Sequence, residues 1–318
     1  MPGHELLAFT AMGKPRTERF GRFELRERVW VSGLSTLHRA VDTEALAGSR
    51  SVVLKRLLPE LPKDPAIAEE FLDLASLSAC LQHDNVVRVL NFGEVEGEPF
   101  LVREWVEGQD LGRVRSLSRR RGMPTLPEPI AVSIGIDICK GLHPAHQQVG
   151  LLHGELVSSN VLMGHGGEVK VLEFGFNRWG QRKAWASANI FGGKLKYFAP
   201  EQLLREPVDG RADLYVLGLL LYELLCGTLP MKGDHEALIF TEVLEGRLVP
   251  AWQYNPTLDA DLVRILERAL ARSAGDRYPS AEAMGQAMGD WMKVHAPAFS
   301  TDTRRQWMAT LYPPEPSR

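Results

Sequence analysis

The chain of 318 residues is 44% hydrophobic and 24% charged, a composition typical of water-soluble globular proteins that excludes disorder throughout. Its 37 basic and 40 acidic residues leave a net charge of −3, so no overall field favours nucleic acid or an anionic membrane. At ~150 residues per domain, the length predicts about two domains or one bilobal unit.

Cysteine usage and apolar runs indicate the compartment. The residues Cys80, Cys139 and Cys226 are far apart and form no CxxC pair, which favours a reducing environment. The N-terminus lacks the apolar stretch of a signal peptide. The longest apolar run, residues 216–226, is interrupted by Glu223 and is shorter than the ~20 residues that span a bilayer. We therefore predict a soluble, cytoplasmic protein.

The first hundred residues show mainly the period of strands, and one segment shows the period of a helix. The predicted elements are strands at residues 23–41, divided by a turn at Ser32, Gly33 and Ser35, strands at 51–58, 86–94 and 99–106, and a helix at 69–81.

Beyond Gly108 the helical period dominates, notably around residues 134–145, 215–225 and 262–270. The proline-rich end, residues 313–318, is predicted to fray. The pattern predicts an α+β fold in which a small β-rich lobe is followed by a larger helical lobe.

Ordered sequence blocks across residues 23–290 make the chain resemble a protein kinase of the bacterial Ser/Thr type. An ordered set of this kind is far more specific than any single motif. The blocks are the strand Val52, Val53, Leu54, Lys55; the segment His83, Asp84, Asn85, Val86; the loop His153, Gly154, Glu155 with Asn160; the triplet Glu173, Phe174, Gly175; the run Tyr197, Phe198, Ala199, Pro200, Glu201; and Asp213 with Asp276, Arg277 and Tyr278.

The resemblance implies a bilobal kinase fold and assigns a role to each matching position. The implied division is an extension at 1–22, an N-lobe at 23–105, a C-lobe at 106–296 and a tail at 297–318. The implied nucleotide-binding residues are Lys55, Val53, Arg103, Glu104, Val106 and Leu162. Glu155 holds the position of the catalytic base, and Asn160 and Glu173 hold those of the metal ligands. The implied structural residues are His153, Glu201, Asp213 and Arg277, with an ion pair between Glu201 and Arg277.

Several departures from the family pattern affect the nucleotide. The places of the phosphate-binding glycines hold Trp30, Ser32 and Ser35, and an indole hinders close approach to phosphate. The glutamate that orients the lysine is replaced by Leu74, with Asp73 adjacent. Lys55 then either lies at the surface or pairs with Glu173 or Asp73.

The catalytic positions depart as well. Glutamate replaces aspartate at both Glu155 and Glu173, Gly154 replaces the arginine of the loop, and Val157 replaces its lysine. An extra methylene displaces each carboxylate, and a misplacement of about 1 Å can cost on the order of a hundredfold in rate. The metal position is demanding, because Mg²⁺ prefers near-octahedral oxygens.

Two further replacements add a larger side chain and a positive charge to the implied nucleotide pocket. Val53 narrows the adenine slot, and Arg103 stands at the gatekeeper position, where a buried cation needs a carboxylate partner. We predict that Arg103 reaches Glu173 or Asp73. Lys194 replaces the usual threonine of the activation segment, and Gly154 leaves the loop without the arginine that binds a phosphate, so we do not expect control through phosphorylation of Ser187.

Two other signals have structural and functional readings. His143 and His146 have metal-ligand spacing, but no further ligand completes a zinc set, which favours structural histidines. A basic cluster after the hinge suits either a solvated helix face, which we favour, or an acidic or RNA partner. Its members are Arg113, Arg115, Arg119, Arg120 and Arg121.

The sequence therefore predicts a pseudokinase that signals by binding a protein, such as a kinase or a regulator, with no cofactor, nucleic acid or membrane partner. The alternative is an atypical phosphotransferase that uses ATP and Mg²⁺, with Glu155 as base and Asn160 and Glu173 as metal ligands, or one that transfers AMP. The sequence does not decide the oligomeric state, nor whether residues 1–22 and 297–318 are docking tails or simple termini.

Overall fold

A computed structural model describes residues 18–31, 35–45, 50–58, 61, 65–176 and 195–313 of the chain. The chain divides into two compact units. The N-terminal unit comprises Met1–Leu72 and Val89–Trp105, and the helical unit comprises Asp73–Arg88 and Val106–Arg318.

The described strands form two antiparallel sheets. Their bounds are β1 Glu18–Phe20, β2 Phe23–Val31, β3 Ser35–Asp42, β4 Arg50–Leu57, β5 Val89–Val95, β6 Glu98–Glu104, β7 Gly108–Asp110, β8 Val161–Gly164 and β9 Val169–Val171. The order in the larger sheet is β1-β2-β3-β4-β6-β5, and in the smaller sheet it is β7-β8-β9.

Helices make up most of the helical unit. The bounds of the helices in the described residues are α1 Pro65–Cys80, α2 Leu111–Arg120, α3 Glu128–Pro144, α4 Pro200–Leu203, α5 Gly210–Cys226, α6 Glu236–Glu245, α7 Ala251–Tyr254, α8 Ala260–Ala269, α9 Ala281–His295 and α10 Thr301–Leu311. A π-helical turn, Ala145–Val149, extends α3, and short 3₁₀ turns lie at Ser158–Asn160, Leu195–Tyr197 and Ala274–Asp276.

Each unit has its own hydrophobic core. In the N-terminal unit Phe100 lies edge-on to Phe20 and Phe23, with ring centroids 5.7 and 5.6 Å away. In the helical unit α5 is buried along nearly its whole length, because its sequence is apolar on every face. It begins at Asp209, whose carboxylate accepts the Arg211 N–H at 2.9 Å, and ends at Gly227 in the left-handed region.

The predicted elements match the observed ones with shifted bounds. Helix α1 begins at Pro65 rather than residue 69, since proline is well tolerated at the first position of a helix. The strand predicted at 86–94 begins only at Val89, because Val86 instead bridges to Val171 of β9. The turn at Ser32 and Gly33 lies outside the described residues.

The two chain ends differ from the prediction. Residues 18–20, which we placed in an N-terminal extension, form β1 and pair with β2. Much of the segment predicted as a C-terminal tail is the helix α10, which packs on the helical unit through Met308 and Leu311. With three residues, β1 is too short to reveal a period, which is why the sequence did not predict it.

Candidate catalytic site

The loop that contains Glu155 is held in place by one buried carboxylate, that of Asp213 on α5. Its Oδ2 accepts the backbone N–H of His153 and the Nε2 of His146, both at 2.8 Å, and its Oδ1 accepts the N–H of Gly154 at 2.9 Å. Burial alone would raise the pKa of Asp213, but the hydrogen bond and charge of His146 and the loop amides outweigh it and leave the pKa lowered. Asp213 therefore stays ionised and orders the loop.

His153 connects this loop to the segment around Glu173. Its Nε2–H donates to the carbonyl of Leu172 at 2.9 Å, and its Nδ1 accepts the backbone N–H of Glu155 at 3.2 Å. Its ring lies 4.9 Å from that of Phe174. Burial lowers the pKa of His153, so the neutral imidazole serves as a fixed donor and acceptor.

The base position Glu155 lies inside the loop rather than on its surface. The residue is only 5% exposed. Its carbonyl accepts the Nδ2–H of Asn160 at 2.9 Å and the N–H of Val157 at 3.0 Å. Since its amide nitrogen is engaged, Asn160 retains its Oδ1 as the atom that would bind a cation.

A hairpin brings Asn160 and Glu173 to the same end of a sheet. Asn160 directly precedes β8, Glu173 follows β9 by two positions, and the N–H of Leu172 donates to the carbonyl of Asn160 at 3.1 Å. Amide and carboxylate oxygens are the donor types that Mg²⁺ takes, so the residue types fit a magnesium site. Glu173 has a φ of +72°, a conformation that is rare for residues other than glycine and that concentrates at functional sites.

Helix α1 offers a hydrophobic side chain where the resemblance places a glutamate. Leu74 packs against the main core of the helical unit. A Cβ placed on Gly175 would lie 3.1 Å from Leu74 Cδ2 and 2.9 Å from Leu151 Cδ1, so Gly175 lets these leucines pack directly on the segment after Glu173. Position 74 is therefore part of the apolar core.

Lys55 and Arg103 lie on neighbouring strands of the N-terminal unit. In the register of β4 and β6, Val53 faces Arg103 and Lys55 faces Leu101. Both cationic residues are buried, at 8% and 5% exposure, and both have interaction partners. The interpretation of Lys55 as a surface lysine is therefore wrong. The predicted partners of Arg103, Glu173 and Asp73, belong to the other unit, and that contact stays a prediction.

The remaining pocket positions are half-buried in their own units. Glu104 lies opposite Val52 in the sheet of the N-terminal unit. Val106 and Leu162 belong to the helical unit, with Leu162 in β8 facing Lys170. Their shared role in binding a nucleotide remains a prediction.

Glu201 and Arg277 form a two-pronged ion pair in the helical unit. The distances are 2.6 Å from Nη1 to Oε1 and 2.8 Å from Nη2 to Oε2. The Arg277 side chain is fully buried and also donates to the carbonyls of Ala271 and Arg272. This pair joins α4 to the turn before α9, as the resemblance implies.

His146 has the structural role that we favoured, because its Nε2 is bound to Asp213 at 2.8 Å. The arginine cluster on α2 is only partly the solvated face that we predicted. Arg115 forms an ion pair with the buried Glu223 at 2.9 Å, and Arg121 donates to the carbonyl of Thr310. Helix α2 uses these arginines to hold other parts of the unit.

The network around Glu223 was not predicted. Its Oε2 accepts the hydroxyl of Tyr197 at 3.0 Å as well as Arg115, and Arg115 also lies 3.4 Å from Ser158 Oγ in the candidate loop. Burial, and then the charge of Glu223, raise the pKa of Tyr197. The only available signal was a glutamate interrupting the apolar run of α5.

Ser187 and Lys194, which we discussed as residues of the activation segment, lie outside the described residues.

Comparison with known proteins decides the family. The family model described as the protein kinase domain matches residues 44–288, which is more than half of the chain. The chain belongs to the protein kinase family. The predicted resemblance is confirmed, and so is the predicted kinase fold with its strand-rich N-terminal unit and helical second unit.

This protein kinase domain has curated bacterial relatives. It is 32% identical over 288 residues to the tyrosine-protein kinase MasK of Myxococcus xanthus, an alignment that covers 88% of this chain and 44% of MasK. It is 34% identical over 271 residues to the serine/threonine-protein kinase PksC of Streptomyces coelicolor, covering 83% of this chain and 48% of PksC. The chain thus spans less than half the length of these relatives.

Solved structures agree on the fold. The PknI kinase domain of Mycobacterium tuberculosis matches this kinase domain with a TM-score of 0.65 at 23% identity, over 88% of this chain and 99% of that chain. Among the described residues, no helix combines the length and the apolar character that crossing a bilayer requires.

Proposed function

We propose that this kinase-family domain is a pseudokinase that acts in signalling by binding another protein, such as a kinase or a regulator. The observation that carries the proposal is the packing of Leu74. Its side chain belongs to the core beside Gly175 and Leu151, so helix α1 has no carboxylate at the position that orients the nucleotide-binding lysine. Restoring one there would put a charge into an apolar contact, which is unfavourable.

The acidic positions support the same proposal. Glu155 and Glu173 each carry one methylene more than aspartate, which corresponds to a displacement of about 1.5 Å. Glu155 is buried in its loop, and Val157 contributes no charge where the family has a lysine. Phosphoryl transfer depends on positioning and electrostatics, so these changes affect the steps that a kinase contributes to catalysis.

A second candidate function is phosphoryl transfer by an atypical active kinase. It is favoured by the arrangement of Asn160 and Glu173, which carry an amide and a carboxylate at the same end of the β8–β9 hairpin, and by relatives that are named as kinases. In this function Glu155 acts as base, Lys55 contacts the phosphates, and Mg²⁺ neutralises phosphate charge. Transfer of AMP is a variant that uses the same residues.

Thermal unfolding with ATP and Mg²⁺ separates the two functions. A ligand at 100 times its dissociation constant raises the free energy of unfolding by about 2.7 kcal/mol. The pseudokinase proposal predicts no change in Tm over a titration of Mg²⁺-ATP. The matched controls are Lys55→Ala and Asn160→Ala, which remove the lysine and a metal ligand.

A Mg²⁺-dependent rise in Tm that both variants abolish would show that ATP binds, and would contradict the prediction that the protein binds no cofactor. Appearance of labelled phosphate on a protein substrate, lost in Glu155→Gln, would overturn the pseudokinase proposal and establish the second candidate.

A further inference from the structure

The β8–β9 hairpin links the candidate site to the opposite end of a small sheet. Asn160 directly precedes β8 and Glu173 closely follows β9, with Val161 facing Val171 at the site end of the hairpin. The other end is the turn at residues 165–168. With strands of 4 and 3 residues, this hairpin needs support from its surroundings.

Helix α10 lies directly against that turn. The Nε–H of Arg304 donates to the carbonyl of Gly167 at 2.5 Å. Gly167 has a φ of +88°, and a Cβ on it would lie 2.6 Å from the carbonyl oxygen of Thr301 and 2.8 Å from the nitrogen of Arg305. The backbones of the turn and the helix are therefore in contact, which only glycine permits.

The guanidinium of Arg304 ties the same turn to α3. Its Nη2 lies 2.5 Å from Asp137 Oδ2 and its Nη1 lies 3.1 Å from Ser133 Oγ. The residue is 3% exposed. A buried arginine with three engaged nitrogens is a strongly directional contact, so the position of the turn depends on α10 being docked.

The far end of α10 is also anchored. The carbonyl of Thr310 accepts the guanidinium N–H of Arg121, which caps the C-terminus of α2, and the ring of Tyr312 lies 6.0 Å from that of His165, in the same turn. Met308 and Leu311 are each 1% exposed. The helix is thus bound along its length to the turn, α2 and α3.

We propose that α10 is a clamp in cis, whose docking through Arg304 restricts the β8–β9 hairpin and thereby the positions of Asn160 and Glu173. The clamp lies outside residues 44–288, the part that matches the kinase family model. Release of α10 is the conformational change that loosens the site. The inference holds for either function proposed above, because it concerns the motion of the hairpin.

Hydrogen exchange of the full chain without nucleotide tests the clamp. In Arg304→Met we expect amides of α10 and of residues 161–171 to exchange about tenfold faster or more, while α9 keeps its protection. The matched control is Arg305→Met, since Arg305 is exposed and its ion pair among the described residues is a local one, with Asp302. It should leave the hairpin unchanged.

Asp137→Asn keeps the test decisive if Arg304→Met does not fold. Asp137 lies on α3 and its Oδ2 binds Arg304 at 2.5 Å, so faster exchange in both α10 and residues 161–171 is the result expected if Arg304 couples them. Lys140→Gln is its control, because Lys140 binds the same carboxylate at 2.9 Å from the exposed side. Faster exchange in α10 with an unchanged hairpin, or a uniform rise that includes α9, would overturn the proposal.

Discussion

At the scale of single residues, buried charges decide how the helical unit is held together. Arg277 and Asp213 both lie in the interior and both bind several partners, one through its ion pair with Glu201 and one through loop amides. Breaking a buried pair leaves the other charge uncompensated, which costs far more than breaking an exposed pair.

Replacing Arg277 by methionine should lower the free energy of unfolding by about 3–5 kcal/mol, because Glu201 would remain partly buried without its partner. Urea denaturation followed by circular dichroism measures this. The control is Arg264→Met, which removes an exposed pair with Asp261 and should cost about 0–1 kcal/mol. Equal losses in the two variants would contradict the assigned role of Arg277.

Acid should destabilise the protein before its carboxylates titrate. Burial lowers the pKa of His153, and burial followed by the charge of Arg56 lowers that of His38, despite the opposing charge of Glu18. A lowered pKa means that the unfolded chain binds more protons, so stability is complete above the unfolded pKa of about 6.5 and declines below it.

Urea midpoints measured between neutral pH and pH ~5 test this. We expect the urea midpoint to fall as the pH is lowered, and to fall less in His38→Gln. The glutamine amide can still form a hydrogen bond with Thr36, whose Oγ1 lies 3.1 Å from Nε2 of His38. A urea midpoint that rises on acidification would contradict the predicted loss of stability at low pH.

At the scale of elements, polar contacts between distant segments fix how helices and loops are joined. Glu223 on α5 binds Arg115 of α2 and Tyr197, which lies just before α4. The same arginine lies near Ser158 in the candidate loop. These contacts make α2 part of the support of the loop.

A double-mutant cycle on Arg115 and Glu223 should show coupling of about 0.5–3 kcal/mol, since the two side chains are in contact and Glu223 is buried. The variants are Arg115→Met, Glu223→Gln and their combination, compared by urea denaturation. In Glu223→Gln the pKa of Tyr197 should also fall, because the charge of Glu223 contributes to raising it. Additive effects of the two substitutions would contradict the network.

At the scale of the whole molecule, two units with separate cores belong to one kinase chain. The reactivity of the cysteine thiols can be used to measure how often the core of the helical unit opens. Cys80 is exposed, whereas Cys139 and Cys226 are buried in the helical unit. Burial raises the pKa of both buried thiols, that of Cys226 to about 12.

A thiol reagent added to the native protein should therefore react quickly with Cys80 alone. Cys139 and Cys226 should react only as fast as the helical unit opens, because the thiolate is the reactive form and both thiols are shielded. Stopped-flow measurement of the reaction with a chromogenic disulfide resolves the fast phase of Cys80 from the slow phase of the buried thiols. The control is Cys80→Ser, which removes the fast phase. Rapid reaction of the buried thiols without denaturant would mean that the core is accessible.

Much of the chain was predictable from its sequence, because the information was local. The strand that contains Lys55, helix α1, the apolar helix α5 and the ordered motifs around His153, Glu173 and Glu201 were all identified within a few residues. Period and motif spacing are properties of neighbouring residues, so they survive in the sequence without knowledge of the fold.

Contacts between side chains that are distant in the sequence became known from the folded chain alone. Lys55 is buried rather than exposed, Leu74 belongs to the core, and Arg304 binds Asp137, which lies 167 positions earlier in the chain. Such contacts depend on how elements pack and which charges lose their water, and no local pattern of residues encodes that geometry. The family resemblance, the strands β2 to β6 and the helices α1, α3, α5 and α8 could be predicted from the order of the residues, whereas packing determined the partners of the buried charges.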